Sequence, residues 1–384
     1  MSIDRMVYAG TSYFGEEARE KIPEEVKKRK LARCVLMTDE GLIRCGAVEK
    51  IEAVLKKADI PYSVFSNIRP NPTIDNVLEG WKALEAEKGD FLLAVGGGSV
   101  IDTAKAVAVI ANNPKNRDVV SLEGMDRAEY PPVPLIALPT TAGTGSETTM
   151  DFVITNPTEK RKMACMDSRV VPVAAILDTD IMAKLPLRMT AATAMDALTH
   201  AIESYLTPHA FSFSEMLSLK AIELILDNFE KVLEDPSDLE VRKQLAIAQF
   251  LAGMSFTNVG LGIVHSMAHP LSAFYDIPHG VANALILPEV LEFNAQECPE
   301  KIKKLAGIFR VPYTDRQETG KICADRLRRM NRKAGLPQKL KEVNVRKEDL
   351  DALAQSALED VSTLDNPREV NAQILRTLYE KIYE

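Results

Sequence analysis

The first half of the chain alternates short β-prone runs with amphipathic helical runs, and this alternation restricts the fold more than any other feature. Strands are predicted over 34–39, 62–65, 91–95 and 135–139, and helices over 47–58, 75–89 and 99–112. Strands that alternate with helices of this length form a mostly parallel sheet with helices on both faces. We therefore expect an α/β domain here.

The pattern changes after residues 174–186. From there, helical periodicity continues almost to the C-terminus, with helical runs at 190–206, 214–233, 241–256 and 299–309. Just before this change, the β-prone runs 151–155 and 163–167 flank a turn-rich segment and predict a hairpin. The sequence thus predicts an α/β domain over 1–184 and an all-helical domain over 185–384.

Composition narrows the class of protein. The 384 residues carry 47 Lys and Arg against 55 Asp and Glu, a net charge of −8, and 46% are hydrophobic, which is typical of a globular chain and excludes disorder. No run of about 18 apolar residues and no secretory signal is present. The excess of acidic over basic residues disfavours binding to nucleic acid, and the odd number and wide spacing of the five cysteines disfavour disulfide bonds. We expect a cytoplasmic protein with small-molecule partners, no nucleic acid and no membrane.

A glycine cluster follows the predicted strand 91–95 and opens a helix. Glycines at 96–98 let the backbone approach an anion closely, and the free N–H groups at a helix start favour negative charge. Ser99 and Asp102 have the S-x-x-D spacing of an N-terminal cap. The cluster fits a phosphate site, and a tight turn without a ligand is the alternative.

Two further segments are compatible with a nucleotide. Asp39 ends the first predicted strand, where its carboxylate could bond the ribose hydroxyls of NAD and would repel the extra phosphate of NADP. It precedes the glycines, whereas the acidic residue of the common dinucleotide fingerprint follows them, so a loop or capping role stays open. The segment PTTAGTGSETT, at 139–149, again follows a buried strand. Two such loops favour a nucleotide crevice over plain turns.

All five histidines fall in the helical half, and four of them, all except His209, are at positions that helices can bring together. Asp196 and His200 are four residues apart, as are His265 and His269, so each pair lies on one helix face. A lone buried histidine is more often a hydrogen-bonded core residue than a ligand, but this cluster, with His279, predicts a metal site. Imidazole and carboxylate donors suit Fe(II), Zn(II), Ni(II) or Mn(II), and spacing does not choose among them.

With these motifs the chain resembles the iron-containing (group III) alcohol dehydrogenases over essentially its whole length. The similarity rests on GGGSVIDTAK at 96–105, PTTAGTGSE at 139–147, MDALTHAIE at 195–203 and VHSMAHPLSAFYDIPHGVANALILP at 264–288. Two further segments, NNPKNRDVVSLEG at 112–124 and RKEDLDALAQSALEDVSTLDNPRE at 346–369, are similar to the lactaldehyde reductase (1,2-propanediol oxidoreductase) branch.

The resemblance implies a role for each half of the chain. It implies a Rossmann-like NAD-binding domain followed by a metal-binding and catalytic domain. The implied ligands of the divalent metal, Fe²⁺ or alternatively Zn²⁺, are Asp196, His200, His265 and His279. His269 matches an additional active-site histidine of the family. The implied NAD contacts are Asp39, Asn71, Gly97, Gly98, Ser99, Thr140, Thr141, Thr144, Thr149, Val153 and Lys162.

The implied reaction is reversible hydride transfer between NAD(H) and a small primary alcohol, diol or aldehyde, such as 1,2-propanediol or lactaldehyde, at the cleft between the domains. The metal would polarise the substrate oxygen, and His269 would exchange a proton with solvent. The family also implies a homo-oligomer, a dimer or larger. Three alternatives stay open: a metal- and NAD-dependent lyase similar to dehydroquinate synthase, a non-haem iron oxygenase, and a non-catalytic NAD-binding structural protein.

Overall fold

The computed structural model describes residues 4–159 and 161–384, and within them the chain folds as two compact units. We call Met6–Leu185 together with Ser237–Ala246 the sheet unit, and the rest of the described chain the helical unit. The short segment Ser237–Ala246 differs from the sequence-based division because it joins the sheet unit. Buried Arg242 in this segment donates a hydrogen bond to the carbonyl of Met182.

The sheet unit is built on a six-stranded parallel sheet in the order β1-β9-β6-β4-β2-β3, and a second sheet has the order β5-β8-β7. The described strands are β1 (Thr11–Gly15), β2 (Cys34–Met37), β3 (Tyr62–Phe65), β4 (Phe91–Gly96), β5 (Gly124–Met125), β6 (Leu135–Pro139), β7 (Asp151–Asn156), β8 (Arg161–Met166) and β9 (Ala174–Asp178). All pairings in the larger sheet are parallel, as the alternation predicts.

The helices follow the same chain order. In the first half they are α1 (Ile22–Arg29), α2 (Glu40–Arg44), α3 (Ala47–Lys57), α4 (Ile74–Glu87), α5 (Gly98–Asn112) and α6 (Thr179–Met182). The second half contains α7 (Leu187–Leu206), α8 (Ser212–Glu234), α9 (Leu239–Val259), α10 (Ile263–Tyr275), α11 (His279–Asn294), α12 (Pro299–Ile308), α13 (Arg316–Lys333), α14 (Leu350–Leu358) and α15 (Ala372–Lys381). Short 3-10 turns connect several of them.

The central strands are continuous apolar runs because both faces of the sheet are covered. Successive side chains on a strand point to opposite faces. Val35 and Leu92 accordingly lie in one hydrophobic core, while their chain neighbours Leu36 and Leu93 lie in the other. The parallel pairing of β2 with β4 and of β4 with β6 places their carboxyl ends side by side at one edge of the sheet.

The predicted hairpin is present, formed by the antiparallel strands β7 and β8. Its register pairs Val153 with Ala164 and Thr155 with Lys162. Lys162 therefore lies within a strand, although the charged run around it has the composition of a solvated turn.

The helical unit has long helices throughout, as the periodicity predicts. Every residue of α7 from Met195 to Leu206 is buried, so this helix is central in the unit. Within the described residues, no single helix is long and apolar enough to cross a bilayer. The neighbouring helices α9 and α10 meet that test only when taken together, and they bend by 102° at the break between them.

Candidate active site

Four predicted ligand side chains come together in the helical unit. Asp196, His200, His265 and His279 each offer one donor atom, and these atoms all lie within 4.8 Å of one another. Asp196 and His200 are one turn apart on α7, His265 is in the first turn of α10, and His279 is the first residue of α11. Three helices therefore supply the cluster.

The donor chemistry and the packing of this cluster suit a divalent transition metal. The rings of His200 and His265 stack with centroids 4.6 Å apart, and His279 Nε2 lies 3.6 Å from Asp196 Oδ1. Three imidazoles and one carboxylate are donors that Fe²⁺, Zn²⁺, Mn²⁺ or Ni²⁺ accept, whereas Mg²⁺ and Ca²⁺ prefer oxygen alone. Because the side chains already converge, the residues present fit a metal ion.

A buried carboxylate supports one of these histidines. Glu203, on α7, lies with Oε2 2.5 Å from Nδ1 of His265 and accepts a hydrogen bond from the backbone N–H of Val264 at Oε1, at 2.6 Å. Burial raises the pKa of Glu203, and hydrogen bonds from the backbone N–H groups of Val264 and His265 act against this shift and favour the carboxylate. Since Nδ1 of His265 faces Glu203, the other ring nitrogen, Nε2, is directed to the cluster, an arrangement common for metal-binding histidines.

A second polar side chain, Asn283 on α11, lies directly against the cluster. Its Nδ2 donates to Asp196 Oδ1 at 2.6 Å and lies 3.2 Å from Nε2 of both His265 and His279. The side chain is fully buried. Asn283 thus contacts three of the four candidate ligands.

His269 lies beside the cluster without belonging to it. Its ring stacks on that of His279 with centroids 5.4 Å apart, and its Nδ1 is 2.6 Å from Oδ2 of Asp360. Burial alone would raise the pKa of Asp360, but the charge and hydrogen bond of His269 outweigh burial and hold this pKa well below its usual range. This pair joins α10 to the turn Val361–Asp365.

In the sheet unit, the two glycine-containing loops pack on each other. A Cβ on Gly97 would lie 3.2 Å from Cγ2 of Thr141, and one on Gly98 would lie 2.7 Å from Cγ2 of Thr144. Helix α5 starts at Gly98, and Gly97 is its N-cap residue. The absence of side chains at these positions lets the second loop approach the start of α5, where an anion is favoured.

The capping role predicted for Ser99 and Asp102 is wrong. Among the described residues no side chain caps α5 at Gly97, and Asp102 turns to the second loop instead. It accepts hydrogen bonds from Ser146 Oγ at 2.5 Å and from the N–H of Val153 at 3.0 Å, and burial raises its pKa. A cap is a local interaction, and here a tertiary contact with two donors distant in sequence replaces it.

A buried lysine ties the same loop to α5. The Nζ of Lys105 donates to the carbonyl of Thr149 at 2.8 Å, to its Oγ1 at 2.9 Å and to the carbonyl of Asp151 at 2.7 Å. Burial lowers the pKa of Lys105 to about 8. Lys105 therefore sets the position at which the chain leaves the second loop and enters β7.

The remaining candidate NAD contacts differ in accessibility. Asp39 is half-buried and caps α2, with Oδ1 accepting the N–H of Leu42 at 3.0 Å. Asn71 has a left-handed backbone, with φ of 54°. Thr140 and Thr149 are buried, so they shape the loop. The partly accessible candidates are Asp39, Asn71, Gly97, Gly98, Ser99, Thr141, Thr144, Val153 and Lys162.

Sequence reasoning missed four residues of these two sites. Glu203 was detectable, because it is three residues after His200 on the same helix, and Asn283 is one turn after His279. Lys105 lies within the quoted motif GGGSVIDTAK, but its burial has no sequence signal. Asp360 is separated from its partner by 91 residues, and no local pattern connects the two.

Comparison with known proteins gives consistent results over the whole chain. Residues 9–179 match the profile described as iron-containing alcohol dehydrogenase, and residues 190–383 match the C-terminal profile of the Fe-containing alcohol dehydrogenase family. The chain is 42% identical to lactaldehyde reductase of Escherichia coli K12 over 98% of both chains, and 36% identical to alcohol dehydrogenase 4 of Saccharomyces cerevisiae S288c over 97% of both. A crystal structure of 1,3-propanediol oxidoreductase superposes with a TM-score of 0.96 at 34% identity, covering 100% of both chains.

Proposed function

Because the chain belongs to the iron-containing alcohol dehydrogenase family, we propose that this oxidoreductase interconverts small primary alcohols or diols and their aldehydes with NAD(H). The substrate pair we propose is lactaldehyde and 1,2-propanediol, since the family resemblance extends to the lactaldehyde reductase of Escherichia coli. Among the alternatives open from the sequence, this assignment favours the dehydrogenase over the lyase, the oxygenase and the non-catalytic protein.

The observation that carries the proposal is the convergence of Asp196, His200, His265 and His279 within 4.8 Å. These side chains would hold the divalent metal, which we propose is Fe²⁺, with Zn²⁺ as the alternative. A metal bound there would supply Lewis acidity to polarise the substrate oxygen. Glu203 holds His265 in the orientation that directs Nε2 to the site.

The two loops of the sheet unit would bind the cofactor, whose nicotinamide supplies the hydride chemistry. Gly97 and Gly98 allow the pyrophosphate to approach the N–H groups at the start of α5. Asp39 has one oxygen engaged in capping α2, and its second oxygen is available to a ribose hydroxyl. Its negative charge favours NAD(H) over NADP(H).

His269 would exchange the substrate proton with solvent. Its Nδ1 faces Asp360 at 2.6 Å, so the Nε2 side of the ring is the one available to exchange a proton. An imidazole can both donate and accept a proton, which suits this work. Asp360 orients the ring.

We further propose that the enzyme is cytoplasmic and forms a homodimer or a larger homo-oligomer. Small metabolites, and neither nucleic acid nor a membrane, are its proposed partners. Light scattering after size-exclusion chromatography measures the assembly, and a monomer at assay concentration would contradict it.

The test of the activity is NADH oxidation with lactaldehyde and with propionaldehyde. The protein is stripped of metal under anaerobic conditions and reloaded separately with Fe²⁺ and Zn²⁺. We expect activity that returns with metal, and the more active ion identifies the working metal. Measurable NADH binding without turnover under either metal would contradict the proposed reaction.

A further inference from the structure

We propose that Asn283 is a positioning residue of the metal site, whose side-chain amide holds the carboxylate of Asp196 in the orientation that a metal ion requires. This inference rests on the proposed function only in taking the four-residue cluster as a metal site. The contact that carries it is the hydrogen bond that Nδ2 donates to Asp196 Oδ1 at 2.6 Å.

The geometry explains why an amide suits this position. An amide nitrogen donates through its N–H groups, and a carboxylate oxygen has two lone pairs, so Asp196 Oδ1 can accept this hydrogen bond and still bind a metal ion. The ring nitrogen Nε2 of His265 or His279 has one lone pair and cannot serve both an N–H group and an ion. Asn283 therefore acts on the carboxylate ligand.

The close packing of α11 on α7 brings the amide to the ligands. A Cβ on Gly280 would lie 2.5 Å from the carbonyl oxygen of Ala192, so the first turn of α11 lies directly on α7 beside Asp196. Asn283 follows one turn later and is 0% exposed.

The second amide atom of Asn283 argues against a purely structural role. Its Oδ1 has no hydrogen-bond partner among the described residues. A buried carbonyl without a partner is destabilising, so packing alone favours an apolar side chain of similar size here. The hydrogen bond from Nδ2 to Asp196 Oδ1 is the favourable contact that offsets this cost.

Asn331 offers a matched control. It is also buried in the helical unit, its Nδ2 donates to the carbonyl of Ala284, and its Oδ1 also lacks a partner within the described chain. It is not a member of the candidate ligand cluster. Asn331→Leu therefore makes the same chemical change at a residue whose hydrogen bond goes to the backbone of α11 and not to a candidate ligand.

The experiment measures the Zn²⁺ dissociation constant of metal-free protein by competition with a chromogenic chelator, for the full chain, Asn283→Leu and Asn331→Leu. Circular dichroism checks that each is folded. We expect Asn283→Leu to raise this constant about 10- to 100-fold and Asn331→Leu to leave it within about threefold. If Asn283→Leu binds Zn²⁺ as tightly as the unmodified chain, or if both variants weaken it equally, the proposal is wrong.

A second variant tests the proposal if the Asn283→Leu protein does not fold. Asn283→Ala removes the amide without adding bulk, and the same rise in the Zn²⁺ dissociation constant is expected, with an unchanged constant overturning the proposal. The aldehyde assay of the unmodified chain is run in parallel. An inactive chain whose Zn²⁺ affinity depends on Asn283 contradicts the proposed reaction alone, while an active chain with no such dependence contradicts this inference alone.

Discussion

Glu203 bonds His265 through one carboxylate oxygen, Oε2, while its other oxygen accepts the N–H of Val264, at 2.5 and 2.6 Å respectively. A single buried side chain thereby fixes both the start of α10 and the ring of a candidate ligand on that helix. Gly262 permits this contact, since a Cβ there would lie 2.8 Å from Oε1. Local fold and metal site therefore depend on the same carboxylate.

Replacing Glu203 with glutamine should weaken metal binding. A carboxylate accepts at both oxygens, whereas an amide accepts at one, so either Val264 N–H or His265 Nδ1 loses its acceptor. We expect the Zn²⁺ dissociation constant to rise about 10- to 100-fold, as measured by chelator competition. Glu289→Gln is the control, because buried Glu289 bonds Lys381 and Arg328 away from the cluster, and equal weakening in both variants would contradict the assignment.

His269→Ala should slow turnover while leaving the metal site occupied. A proton-transferring histidine contributes about 100-fold or more, so kcat for aldehyde reduction should fall by that order. Metal content, measured by mass spectrometry of the intact preparation, should stay at the level of the unmodified enzyme. Loss of metal with the activity would instead make His269 a ligand.

Gly98→Ala should weaken NADH binding. The added Cβ would lie 2.7 Å from Cγ2 of Thr144, a contact that forces the two loops apart. Overpacking of this kind costs about 1–3 kcal/mol, so we expect the NADH dissociation constant, followed by fluorescence, to rise about tenfold or more. Gly307→Ala adds a methyl group to open space in α12 and should have no such effect. Restored binding in Gly98→Ala with Thr144→Ser would locate the clash.

Asp39→Asn should shift cofactor preference from NADH to NADPH. Asparagine caps helices about as well as aspartate, so the start of α2 is preserved while the charge that repels the 2′-phosphate is removed. We expect kcat/KM with NADPH to rise about tenfold with little change in melting temperature. An unchanged ratio of the two cofactors would mean that Asp39 does not face the ribose.

Lys105 should make stability depend on alkaline pH. Burial lowers its pKa to about 8 in the folded chain, against about 10.4 when unfolded. Between these values the unfolded chain binds more protons at this site, so its contribution to the free energy of unfolding rises with pH from about 8 to 10.4. As the pH rises across this window, the urea midpoint of unfolding of the unmodified protein should rise relative to that of Lys105→Met. If the urea midpoints of the two proteins change with pH to the same extent, the lowered pKa of buried Lys105 is contradicted.

The secondary structure of the sheet unit was largely predictable because local sequence patterns indicate its strands and helices. Strands β3 and β6 lie at the positions expected from their apolar runs, and the central sheet is parallel because helices separate the strands. The predicted cap of α5 is absent because Asp102 accepts hydrogen bonds from Ser146 Oγ in the second loop and from the N–H of Val153 in β7, both more than 40 residues away. The spacing of residues in the sequence cannot predict whether Asp102 forms the helix cap or the tertiary contact.

The sequence alone determined the alternation of elements, the glycines that open α5 and the four-residue spacings that put Asp196 beside His200. All of these follow from backbone periods of a few residues. Tertiary structure decided what surrounds the candidate metal: Glu203 at Nδ1 of His265, Asn283 across three ligands, and Asp360 on His269. Those contacts depend on how α7, α10 and α11 pack, and packing is a sum over distant side chains that no local period encodes.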